Sequence, residues 1–136
     1  MPRRLFLLVI WPLFTLGLLG CEKLPNVPPS ASFIYSPVSP IYAGITAVAF
    51  NASGSRDSDG QIATYRWDFG DGTGEQTSSG PTLSHVFPDT PATCVEVTFT
   101  VLLTVVDNAG EQASASQQVK VIELPAPTAA ECQPKR

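Results

Sequence analysis

Through the middle of the chain apolar and polar residues alternate with a period of two, and turn-forming residues close each alternating stretch. Ala31, Phe33 and Tyr35 form one face of a first expected strand, which Pro37 and Pro40 stop. Thr46, Val48, Phe50 and Ala52 line a second after Gly44, and Ala63, Tyr65, Trp67 and Phe69 line a third. Thr82 to Phe87 gives a short fourth. In the most regular stretch, 95–106, Val95, Val97, Phe99, Val101, Leu103 and Val105 share one side, with Glu96, Thr98, Thr100 and Thr104 on the other. Asp107-Asn108-Ala109-Gly110 turns the chain into a last strand, with Ala113, Ala115, Val119 and Val121 facing one way and Ser114, Ser116 and Lys120 the other. No segment after the N-terminal apolar run has helical period, so the pattern predicts an all-β fold of two sheets packed face to face. Large side chains must fill the roughly 10 Å between such sheets, and Trp67, Phe33, Phe50, Phe69 and Phe99 are the candidates, with Trp67 at the centre. The pattern does not place Tyr42 or Phe87.

The first 20 residues break this pattern. Pro2-Arg3-Arg4 gives a positive start, and Leu5 to Leu19 is an apolar run whose single polar residue is Thr15. Spanning a bilayer takes about 20 apolar residues, and this run is shorter and interrupted by Pro12, so an export signal is expected rather than a permanent span. The Arg3-Arg4 pair followed by Leu5 resembles a twin-arginine signal, but the very apolar core favours the general secretory route. Leu18-Leu19-Gly20-Cys21 resembles the lipobox of bacterial lipoproteins, with Leu19 bulkier than the residue usual there. The resemblance implies a signal peptide over 1–20, cleavage before Cys21 and a lipid, diacylglycerol with palmitate-type chains, on its sulfur. Glu22 follows instead of the aspartate that keeps enteric lipoproteins in the inner membrane, so the outer membrane of the cell envelope is the better expectation.

Cleavage removes Arg3 and Arg4, which leaves six basic residues against twelve acidic ones and a net charge of −6 with His85 neutral. That balance argues against nucleic acid and against anionic headgroups, so membrane attachment falls to the lipid at Cys21. Residues 21–30 hold Pro25, Pro28 and Pro29 and read as an extended stalk, rising about 3.1 Å per residue. Residues 31–122 form the sandwich, and 123–136, rich in Pro and Ala without apolar period, read as a loose tail. Two cysteines are left in an oxidising compartment, Cys94 and Cys132. A single bridge is their natural pairing and would restrict the unfolded chain by about 4 kcal/mol on the loop-entropy model; two free thiols are the alternative.

The run 50–73, FNASGSRDSDGQIATYRWDFGDGT, is the most informative of all. Ala52-Ser53-Gly54-Ser55 with Asp57, Asp59 and Gly60, then Tyr65, Trp67-Asp68-Phe69-Gly70-Asp71-Gly72, His85, and Val105 through Gly110 resemble PKD domains, the polycystic kidney disease repeats. The resemblance covers about Ser30 to Ile122 and implies an immunoglobulin-like β-sandwich of about seven strands, without catalytic activity, serving as a spacer or as a site of protein or carbohydrate contact. It departs from the family at 88–94, where Pro88-Asp89-Thr90-Pro91-Ala92-Thr93-Cys94 intervenes and Val97 stands where a glycine is usual.

Asp57, Asp59, Asp68 and Asp71 are calcium candidates, since hard cations take several oxygen ligands, but the closing glutamate of an EF-hand loop is missing. The competing reading has these aspartates accept backbone N–H bonds and close the turns at Gly60 and Gly72. No other cofactor is expected. His85, the single histidine, is read as structural beside the Asp68–Gly72 turn, because the chain has no nucleophile elbow, zinc-protease motif or phosphate loop to make it catalytic. Asn51-Ala52-Ser53 fits a glycosylation sequon that a bacterial context makes incidental. The expectation is a monomeric, non-catalytic lipoprotein that contacts an envelope protein or a glycan. The alternative is a passive spacer or an assembly subunit that pairs through a strand edge.

Overall fold

The computed structural model describes residues 24–89 and 95–123. The expected export signal over 1–20, and Cys21, Cys94 and Cys132, lie outside the described residues. Seven strands are formed among them: β1 (Ile34–Ser36), β2 (Val48–Asn51), β3 (Ile62–Asp68), β4 (Gln76–Ser78), β5 (Thr82–His85), β6 (Glu96–Asp107) and β7 (Gln112–Ile122). One sheet has the order β1-β2-β5 and the other β4-β3-β6-β7, with every neighbouring pair antiparallel. The two inner faces close on each other as an immunoglobulin-like sandwich.

The core follows from the alternation. Phe33, Val48 and Phe50 come from the side of the smaller sheet, and Tyr65, Trp67, Phe69, Val101, Leu103, Val105, Val119 and Val121 from the larger. Trp67 is fully buried, as its position in the pattern predicts; Phe33 meets it edge-on at 5.2 Å and Phe50 tilts against it at 5.6 Å. Phe87 is also fully buried and stacks at 4.9 Å on Phe99, which is only half-buried at the mouth of the core.

Several details depart from the sequence pattern, the first being that β1 forms only over Ile34–Ser36, so Ala31 and Phe33 of the expected first strand precede it. A bulge between Ile62 and Thr64 shifts the phase of β3, so Ile62 packs on the core and Ala63 faces solvent. Val95 is exposed because β6 starts one residue later. The strand expected over Thr82 to Phe87 ends at His85. β4 has no counterpart in the pattern: Gln76-Thr77-Ser78 is polar throughout, and pairing with Tyr65, Arg66 and Trp67 of β3 holds it extended.

Part of the segment expected to be a stalk is bonded to the domain. Asn26 Nδ2 donates to Asp107 Oδ2 at 2.7 Å, Val27 N–H to Asp59 Oδ2 at 3.0 Å, and Ser30 and Arg56 exchange both main-chain bonds, at 2.7 and 3.0 Å. Residues 26–30 therefore lie on the sandwich, at the end where β6 turns into β7.

Candidate functional site

The Trp67-to-Gly72 run is a strand leading into a tight turn, and its polar side chains are spent on holding that turn. Asp68 Oδ1 accepts the Gly70 N–H at 2.9 Å. Asp71 Oδ1 accepts the Thr73 N–H at 3.0 Å and the Thr73 Oγ1 hydroxyl at 2.6 Å. Gly70 has φ +69° and passes so near β6 that an added Cβ would stand 2.6 Å from the Thr100 carbonyl oxygen. Only glycine fits there.

His85, at the end of β5, reaches across to this turn. Its Nε2 lies 2.6 Å from Asp71 Oδ2, and its ring stacks on Phe69 at 3.8 Å and 2° and meets Phe87 edge-on at 5.0 Å. A carboxylate can only accept, so the ring proton sits on Nε2, and Gln76 Nε2 approaches Nδ1 at 3.5 Å. Burial pushes the Asp71 carboxyl up, but the two Thr73 bonds and His85 outweigh it and hold its pKa below the ordinary 3.8. With His85 and Asp71 both almost wholly shielded from solvent, the pair fastens β5 of one sheet to the β3–β4 turn of the other. The hydroxyl bonded to the pair, Thr73 Oγ1, donates to Asp71 Oδ1, on the opposite oxygen from His85.

The four calcium candidates do not come together. Asp57 and Asp59 precede β3, Asp68 is its last residue and Asp71 follows it, so the length of the strand, roughly 20 Å, separates the pairs. Among the described residues no three or more His, Cys, Asp or Glu side chains form a group able to hold a metal ion. Asp59 Oδ2 accepts from Val27, and Asp57 Oδ1 faces the Asp59 N–H at 3.5 Å, while Asp57 Oδ2 is buried without a hydrogen-bond partner.

A second acidic anchor, Asp107, was legible only as a turn residue. Its Oδ1 accepts the N–H groups of Ala109, Gly110 and Glu111 at 2.7, 2.6 and 2.9 Å, and its Oδ2 takes Asn26. The Asn26 bond first, and then the three N–H bonds, hold its carboxyl below the ordinary value against the opposing effect of burial. The Asn51 amide also serves a turn, accepting the Ser53 N–H at 2.8 Å.

What faces solvent is polar or aliphatic. Among the described residues the exposed large apolar side chains are Leu24, Val27, Ile34, Val38, Ile45, Val86, Val95 and Leu102, with no aromatic ring in that set. The outer face of the larger sheet carries Thr98, Thr100, Thr104, Ser114, Ser116 and Arg66; Thr104 and Ser114 share a hydroxyl bond at 2.9 Å, and Arg66 bonds Gln112 at 2.5 Å. Two open clefts beside β2, of about 280 and 370 Å³, are lined by residues such as Ser32, Asn51 and Leu83 and contain no titratable group.

Comparison with known proteins agrees with this geometry. The sequence is 34% identical over 86 residues to Collagenase ColA of Bacillus cereus, covering 62% of this chain and 8% of that protein. It is 36% identical over 76 residues to Collagenase ColA of Clostridium perfringens, covering 56% of this chain and 6% of that one. The chain thus spans less than a tenth of the length of these curated relatives. Among solved structures, the PKD1 domain of Vibrio anguillarum Epp superposes with a TM-score of 0.54 at 29% identity over 74% of this chain and 100% of its own. A structure described as bearing on the promiscuous specificity of carbohydrate-binding modules from the β-sandwich superfamily superposes with a TM-score of 0.62 at 40% identity, over 75% of this chain and 36% of that one. The sequence model of the PKD domain family matches residues 26–122, from the residue that bonds Asp107 to the last residue of β7, and with the sandwich and its tryptophan-centred core this chain belongs to that family.

Proposed function

We propose that the chain is a non-catalytic, lipid-anchored module on the outside of a bacterial cell, which makes protein or carbohydrate contact through its sandwich. One observation carries the reading: Asp68, Asp71, His85 and Asp107 are engaged in closing turns and joining sheets, while the larger sheet offers a broad face of hydroxyl and amide groups. Such a face suits hydrogen bonding to a glycan or a peptide. It has no exposed ring for a sugar to stack on among the described residues, so recognition would rest on polar contacts around Arg66. The collagenase relatives and the carbohydrate-binding-module structure support a role beside a binding or degradative partner. The lipid belongs on Cys21, and Cys94 with Cys132 would form one bridge.

Mass spectrometry of the membrane fraction tests the anchor. The expected product begins at an acylated Cys21, and a mature chain that begins elsewhere removes this part of the proposal. In intact cells, crosslinking from position 66 is expected to recover one defined envelope protein or a polysaccharide. Recovery of neither would leave a bare spacer.

A further inference from the structure

β7 is the outer strand of the larger sheet, and its register with β6 runs unbroken from Glu96 opposite Ile122 to Val106 opposite Gln112. In such a ladder successive residues turn their N–H and C=O alternately toward and away from the neighbouring strand. Ile122 fixes the phase: its N–H goes to the Ile41 carbonyl at 2.8 Å and its C=O accepts from Ala43 at 3.0 Å, both away from β6. Tyr35 donates its hydroxyl to the Gln118 carbonyl at 3.1 Å from that same side, and Gln117 Nε2 donates to the Phe33 carbonyl. The segment 33–43 thus covers the 117–122 half of the edge.

The other half is bare. The same phase turns the main-chain polar groups of Gln112, Ser114 and Ser116 outward, and no described residue pairs with them. Open edges are ordinarily blunted with charge, proline or a bulge, because they template pairing with another chain. Gln112-Ala113-Ser114-Ala115-Ser116-Gln117-Gln118 has none of these.

We propose that this open half-edge is a self-association site, completed by a second copy of the chain running antiparallel about a two-fold axis at Ser114. This departs from the monomer expected from the sequence. In that register Ser114 faces Ser114 of the second copy, Ala113 faces Ala115 and Gln112 faces Ser116, so small neutral side chains meet throughout. The outward groups of both copies coincide and form about six main-chain hydrogen bonds. A two-fold axis at Ala115 would instead bring Gln118 into the ladder, where Tyr35 already occupies its carbonyl. The self-complementary, uncharged register is what favours a second copy over a foreign strand. The pairing joins two larger sheets edge to edge and needs nothing from the anchor.

The test is photocrosslinking of the full-length chain with a benzophenone side chain in place of Ser116, and with Thr64 on the central strand β3 as the control position. The expected result is a covalent dimer from position 116, attached near Gln112 of the second copy, and none from position 64. Adding Ser114→Lys is expected to cut the dimer yield about tenfold, since two like charges then face each other on the axis, with the β-sheet circular dichroism spectrum retained. Ser114→Glu, of opposite sign, must act the same way. The proposal is overturned by absence of a dimer at position 116, by a dimer indifferent to both charged variants, or by capture of a different protein there.

Discussion

At the residue scale, His85 and Asp71 join a strand of one sheet to a turn of the other. Two Thr73 bonds hold the carboxylate, two phenylalanine rings pack on the imidazole, and both side chains are almost wholly shielded from solvent. His85→Ala removes a buried bond and a stacked ring, and is expected to cost about 2–4 kcal/mol in chemical denaturation. The pH dependence follows from Asp71. Its folded pKa is lowered below 3.8, so its contribution is fully present above that value and is lost as pH falls through the folded pKa. Thermal melts are therefore expected to decline below about pH 4 in the wild type, and Asp71→Asn is expected to start from lower stability with a shallower acid decline.

At the scale of elements, the β3–β4 turn holds three glycines of positive φ, Gly70, Gly72 and Gly74, and the first two differ in kind. Gly70 and Gly72 both have positive φ, but a side chain at Gly70 meets the Thr100 carbonyl, whereas at Gly72 it meets open space. Gly72→Ala is expected to cost about 1 kcal/mol from backbone strain alone, and Gly70→Ala about 3 kcal/mol or more, read from denaturant midpoints of the two variants. Strands that bury an alternate face were legible from the chain, and Trp67, Phe50 and Leu103 fell where their period put them. β4 was not, because a three-residue polar edge strand is specified by its neighbour and leaves no apolar trace. Neither was Ile62, since a single bulge exchanges the inner and outer faces of what precedes it. The aspartate-glycine turns were recognisable as turns, while the distance that β3 puts between the two pairs became visible only in three dimensions. The partnership of Asn26 with Asp107 joins residues 81 apart and has no local signature at all.

At the scale of the whole molecule, the N-terminal segment sets how the sandwich is carried. Residues 26–30 are bonded to the domain, so they move with the sandwich. Asn26→Leu is expected to raise amide exchange at Val27 and Ser30 to that of an exposed chain while leaving the β6 amides protected, as measured by hydrogen exchange. Lowering the pH through the depressed Asp107 pKa should loosen the same segment, because a neutral carboxyl accepts more weakly from Asn26 than the carboxylate does. The Asn26–Asp107 contact also has a mechanical side. Tension between an anchored Cys21 and whatever the far end grips would enter the domain through residues 26–30, loading the Asn26, Val27 and Ser30 bonds before the sheets. Those few bonds would yield first and let out slack, so that a sudden pull lengthens the tether while the tryptophan-centred core stays shut.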